Sequence, residues 1–160
     1  MKRLLSVCAV AAAALAFSVA PAVAQTLTAN LNAGEETPAF ATGAVGTVEV
    51  SVDQQNEELA VALTVYNLPA ATTAGHIHIS PKGIAGPVVI NFPIPSGRTD
   101  DLRLTFRVGA KDFVARPEIG INTMADAIQA ILLGNAYVNV HTTAHPAGEI
   151  RGQLSLRVTN

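Results

Sequence analysis

Four histidines carry the chemistry that this sequence can do. His76 and His78 are separated by one residue, His141 closes the run Tyr137-Val138-Asn139-Val140-His141, and His145 follows just before Pro146. Alternate side chains of an extended strand share a face, so His76 and His78 project together while Ile77 and Ile79 turn to the apolar side. The same alternation groups Tyr137, Asn139 and His141 against Val138 and Val140. If the two strands are neighbours, three imidazoles converge on one surface. Neutral imidazole is a good ligand for Cu(II) and Zn(II), so the pattern points to a histidine-only metal site for one copper or zinc ion. His145 lies in a turn and reads as a fourth ligand, a partner of a ligand or a bystander. Glu149 reads either as an acceptor that orients a ligand ring through its N–H or as part of an ion pair, with Arg151 two residues on or with a neighbouring strand. A metal-free reading competes: the three histidines hydrogen-bond backbone and carboxylates on a polar sheet face and stabilise loops.

Other chemistry is hard to find, and no catalytic residue is assigned. There is no Gly-x-Ser-x-Gly turn and no glycine-rich phosphate loop, and the single cysteine, Cys8, lies in the apolar N-terminal stretch. Glu35 and Glu36 are adjacent on an extended segment beside Pro38, which sends them to opposite faces as solvated edge charges. Ten basic residues stand against twelve acidic ones, and two of the basic ones are Lys2 and Arg3. No basic patch remains to neutralise phosphates, which excludes nucleic acid as a partner. With 4% aromatic residues and no Trp, a stacking platform for sugars or bases has little material.

The N-terminus reads as an export signal. Lys2 and Arg3 precede an apolar stretch from Leu4 to about Ala20, and Ala22-Val23-Ala24 supplies the small residues of a cleavage site. Cleavage is expected after Ala24, leaving a cysteine-free secreted or periplasmic domain over residues 25–160 with no membrane anchor. Strand candidates are Thr26 to Asn32, Gly46 to Val52, Leu59 to Leu68, Gly75 to Ile79, Val88 to Phe92, Leu102 to Val108, Asn135 to Thr142 and Glu149 to Val158. Their length and turn-rich spacing indicate an all-β sandwich or barrel. One short helix is expected near 123–133: Met124, Ala127, Ile128, Ile131 and Leu132 repeat at helical spacing between Thr123 and Gly134, with Asp126 placed for a capping box.

Three segments in order, LNAGEETPAFATGAVGTVEV, TTAGHIHISPKGIAGPVV and LLGNAYVNVHTTAHPAGEIRGQL, resemble the CHRD (chordin-domain) family. YVNVHT followed by GEIRGQL is the most specific part, and all four histidines fall in the second and third segments. The resemblance implies an antiparallel β-sandwich of immunoglobulin-like or superoxide-dismutase-like Greek-key type in a single-domain, bacterial-type secreted protein. The family is named for repeats in an animal antagonist of bone morphogenetic proteins. This chain lacks the cysteine-rich modules that accompany those repeats, so growth-factor binding is not carried over. The His-x-His pair with a distant third histidine also looks like the copper side of Cu/Zn superoxide dismutase. A counterpart of the zinc loop with its bridging histidine and aspartate is missing, as is the disulfide that holds that loop.

Three functions follow as expectations. The leading one is an exported binding domain that holds a copper or zinc ion through His76, His78 and His141. The second is a metal-free structural or adhesion-type sandwich that binds another extracellular protein. The third, from the enzyme class, is a copper-dependent redox protein of minimal dismutase type.

Overall fold

The computed structural model describes residues 25–157; the expected signal segment and its cleavage site lie outside the described residues. Nine strands form: β1 (Gln25–Asn32), β2 (Val45–Asp53), β3 (Glu58–Tyr66), β4 (Thr72–Ile79), β5 (Val88–Asn91), β6 (Leu102–Val108), β7 (Ala136–Thr142), β8 (Ile150–Gln153) and β9 (Ser155–Leu156). Among the described residues one α-helix, α1 (Met124–Leu132), precedes β7. All strand pairs are antiparallel.

Alternation decides which face each strand buries. In β2 and β3, Val48, Val50 and Val52 lie opposite Leu63, Val61 and Leu59, and all six are buried. Their neighbours Thr47, Glu49 and Ser51 turn outward. The link between these strands is a tight turn in which Asp53 Oδ1 accepts from the amides of Gln55 and Asn56, both at 3.1 Å. Glu57 closes it with a left-handed backbone, φ 52°.

The strands run in the order β5-β4-β7-β8-β1-β2-β3-β6, with β9 also paired to β1. Between β8 and β1 the ladder thins to the pair Asn32 and Arg151, so the sheet folds there into two halves over one core. That core draws Leu27, Leu31, Val50, Val61 and Leu63 from one half and Ile77, Ile90, Val138, Val140 and Ile150 from the other. At the open ends Phe92, just past β5, packs edge-on against Phe106 of β6 with ring centroids 5.0 Å apart. The result is the expected all-β class, drawn as one nearly closed sheet.

Helix α1 fills the expected window. Thr123 Oγ1 accepts from the Asp126 amide at 3.1 Å, and the Asp126 carboxylate accepts from the Thr123 amide at 2.9 Å, so two N–H groups that helix geometry leaves unpaired are satisfied. Its inner side places Met124, Ala127, Ile128 and Ile131 in the core. Gly134, at φ 78°, takes the left-handed turn that ends the helix and starts the approach to β7. Where the sequence suggested one long final strand from Glu149, the chain forms two short ones, broken at Leu154, whose side chain is buried. Among the described residues no helix is long and apolar enough to cross a membrane.

Candidate metal centre

Strands β4 and β7 are neighbours. Their register sets His76 opposite Asn139, His78 opposite Tyr137 and Ala74 opposite His141. Opposed residues in an antiparallel ladder point to the same side of the sheet, so Ile77, Val138 and Val140 enter the core while the three histidines share the outer face. One ring nitrogen from each of His76, His78 and His141 lies within 4.8 Å of the others. His76 Nδ1 is 3.0 Å from His141 Nε2.

Backbone carbonyls fix which nitrogens are free. His78 Nδ1 lies 2.8 Å from the Gly86 carbonyl, and His141 Nδ1 lies 2.9 Å from that of Pro146. A carbonyl only accepts, so both Nδ1 atoms carry the proton and both Nε2 atoms keep a lone pair. The His141 lone pair accepts from His76 Nδ1–H. His78 Nε2 is buried with no partner, an arrangement that costs stability and that a metal ion would relieve. Burial, followed by the proximity of the neighbouring imidazoles, pushes His76 down to about 4. Burial likewise pushes His78 down to about 4, against the upward pull of the Gly86 carbonyl. Burial lowers His141 as well, opposed by the Pro146 carbonyl. All three rings are therefore neutral at pH 7, the form that binds metal.

A tetrahedral ion with bonds of about 2.0–2.1 Å needs its nitrogens roughly 3.4 Å apart. The present spacings, 3.0 Å between His76 and His141 and within 4.8 Å across the group, bracket that value. The donor set fits copper or zinc: three neutral imidazoles with carbonyl-anchored orientation and no thiolate. His76 would ligate through Nδ1 once its proton moves to Nε2.

The walls are equally specific. The Tyr137 ring stacks on His78 with centroids 4.7 Å apart and planes 8° from parallel, and the Arg151 guanidinium caps the tyrosine ring at 4.6 Å. The Gly86 amide donates to the Tyr137 hydroxyl at 3.2 Å. One residue thus anchors both rings. Gly86 can do this because it lacks a Cβ, which would collide with the Ile79 carbonyl oxygen.

His145 stays outside the group. It is half-exposed, stacks on Phe40 at 4.1 Å, and lies 3.9 Å from Glu149 Oε2. Glu149 is fully buried, and its Oε2 accepts from the Thr142 hydroxyl at 2.8 Å. Of the ligand rings that it was expected to orient, His78 and His141 place Nδ1 against the carbonyls of Gly86 and Pro146. The expected surface ion pair between Glu149 and Arg151 does not form: both are buried, and Arg151 Nε donates to the Glu35 carbonyl.

Glu36 corrects the sequence reading most sharply. Expected in solvent, it is only 9% exposed and accepts from Asn139 Nδ2 at 2.7 Å. Burial pushes its carboxyl up to about 7, opposed first by the Arg151 guanidinium and then by the Asn139 bond, with Glu149 adding to the rise. No spacing rule marks Glu36, since its burial comes from the packing of the segment after β1 against β8 and from its bond to Asn139 of β7. Tyr137 and Arg151 fall on expected strands, but their stacking depends on the β7–β8 pairing.

A family model for the CHRD domain matches residues 27–154. The chain belongs to the CHRD family. That span takes in the three histidines, Glu36 and Arg151, and the all-β fold agrees with it. Neither the curated proteins nor the solved structures yield a match to this chain. What this CHRD domain does must therefore be argued from its own site.

Proposed function

We propose that this CHRD-domain protein is an exported metal-binding domain that holds one copper or zinc ion through His76, His78 and His141. The observation that carries the reading is the unpartnered Nε2 of His78, buried beside two further imidazole nitrogens within 4.8 Å. Ring orientation set by Gly86 and Pro146, and lowered proton affinity in all three rings, support it. Export is proposed from the Lys2-Arg3 start, the apolar stretch and the small residues before Gln25.

Titration of the purified, metal-free protein with Zn(II) and with Cu(II) tests this. One ion per chain is expected, with a rise in melting temperature that grows with free metal; an ion at 100 times its Kd adds about 2.7 kcal/mol. His78→Ala should abolish stoichiometric binding, whereas His145→Ala should retain it. Equal binding by wild type and His78→Ala would reject the site.

A metal-free second reading rests on a different feature. Along the outer face of β1, β2 and β3 runs a groove of about 690 Å³ lined by Thr28, Asn30, Thr47, Glu49 and Thr64, where another extracellular protein could lie. Absence of any stoichiometric ion would favour it.

A further inference from the structure

The outer face around the histidines contains a buried acid that the metal reading does not use. Glu36 follows the 3-10 turn Ala33–Glu35 and lays its carboxyl against the Asn139 amide. Room for it exists because residue 148 is glycine: a Cβ there would lie 2.6 Å from Glu36 Oε1 and would also strike Asn139 Nδ2. Asn139 sits directly opposite ligand His76 and two residues before ligand His141. Paired side chains of this kind are about 5 Å apart, which sets the Glu36 carboxyl roughly 10 Å from an ion held by the three rings.

The charges that face Glu36 are few. Arg151 approaches it from β8 and Glu149 from the turn before β8. Beyond Glu149 lies His145, stacked on Phe40, and His141 stands next to Asn139 on the same face. Neighbouring Glu35 is engaged by Lys82 at 2.9 Å. Two further buried oxygens, Asn139 Oδ1 and Glu149 Oε1, have no donor. Surroundings rich in unpaired acceptors, with a single guanidinium facing the carboxyl, favour a proton on Glu36 until more positive charge arrives.

We propose, resting on the metal reading, that Glu36 is the proton-exchanging group of the metal centre: entry of a divalent ion at the three histidines expels a proton from the Glu36 carboxyl, which ties metal loading to pH through a residue that does not ligate the ion. The exchange balances as M²⁺ plus the protonated carboxyl giving bound M²⁺, carboxylate and one free H⁺. Glu36 is poised for this near neutrality, since burial holds it at about 7. A dication about 10 Å away, in a medium between protein interior and water, shifts a carboxyl's proton affinity by about tenfold. Half-protonated at pH 7 before loading, the group then gives up about 0.4 of a proton per ion.

Calorimetric Zn(II) titration at pH 7 in buffers of different ionisation enthalpy reads this release directly. Wild type should release about 0.4 of a proton per Zn(II), and Glu36→Gln close to none, with wild-type affinity rising several-fold from pH 6 to 8 and that of the variant staying flatter. An infrared measurement needs no variant: the C=O band of a protonated carboxyl should lose most of its intensity in wild type on Zn(II) loading at pH 7. One Zn(II) bound with no proton released, or release unchanged in Glu36→Gln, overturns this proposal and leaves the metal site standing. No Zn(II) bound overturns both.

Discussion

Replacing Glu36 by Gln should stabilise the metal-free protein at alkaline pH and leave it nearly unchanged at pH 4 to 5. The folded state raises this carboxyl from 4.5 to about 7. A raised acid contributes full stability below its unfolded value, and that contribution is lost as pH rises from 4.5 through 7. A tenfold change in proton affinity corresponds to about 1.4 kcal/mol, so the upper bound is roughly 3 kcal/mol; solvent reaching the edge of the group reduces this to about 1–3 kcal/mol. Glutamine keeps an acceptor for Asn139 and never ionises, so the loss disappears. Urea unfolding of both proteins at pH 5 and pH 8 in the presence of a chelator measures it, provided the m-values agree. The expected outcome is a gap in favour of Glu36→Gln that opens by about 1–3 kcal/mol between the two pH values. A gap that is constant, or that narrows at pH 8, would refute the claim that Glu36 is held protonated by burial.

Further outcomes follow from the same structure. His76 and His78 have folded values pushed below 6.5 to about 4, so their contribution is present above pH 6.5 and lost as pH falls through 4; denaturant melts should show a His76→Ala, His78→Ala double variant losing about 1–3 kcal/mol less than wild type over that range. Gly86→Ala forces a Cβ into the Ile79 carbonyl oxygen and displaces the anchor of His78, so chemical denaturation should show a loss of about 1–3 kcal/mol, and Zn(II) titration an affinity reduced about 10–100-fold. Thr123→Ala removes the cap of α1 and should cost about 1 kcal/mol with metal affinity unchanged, since the helix contributes no ligand.

Alternation made most of this fold legible from sequence. Val48, Val50 and Val52, and Leu59, Val61 and Leu63, announce two strands and their buried face, and the Thr123 and Asp126 pair announces the start of α1. The same rule groups His76 with His78, and His141 with Tyr137 and Asn139, because a period of two fixes direction without knowledge of the partner strand. Whether β4 and β7 are neighbours lies beyond it, since pairing between strands so far apart in sequence is decided by the folding of the whole sheet. Glu36 illustrates the second limit. Its burial depends on how the segment after β1 packs against β8 and on the absence of a side chain at Gly148, and neither has a periodic signature. Glu149 shows a third: it lies just before β8, where alternation does not apply, and only the packed structure shows that Thr142 and His145 flank it while the Pro146 carbonyl accepts from His141.

The central claim is that one ion is held by three particular rings. X-ray absorption at the metal edge of the Zn(II)-loaded protein, repeated on the His76→Ala, His78→Ala and His141→Ala variants, tests it most directly. Three imidazole nitrogens at about 2.0–2.1 Å are predicted in wild type, with loss of that shell in each variant. A shell dominated by oxygen, or an imidazole count unaltered by the substitutions, would contradict it.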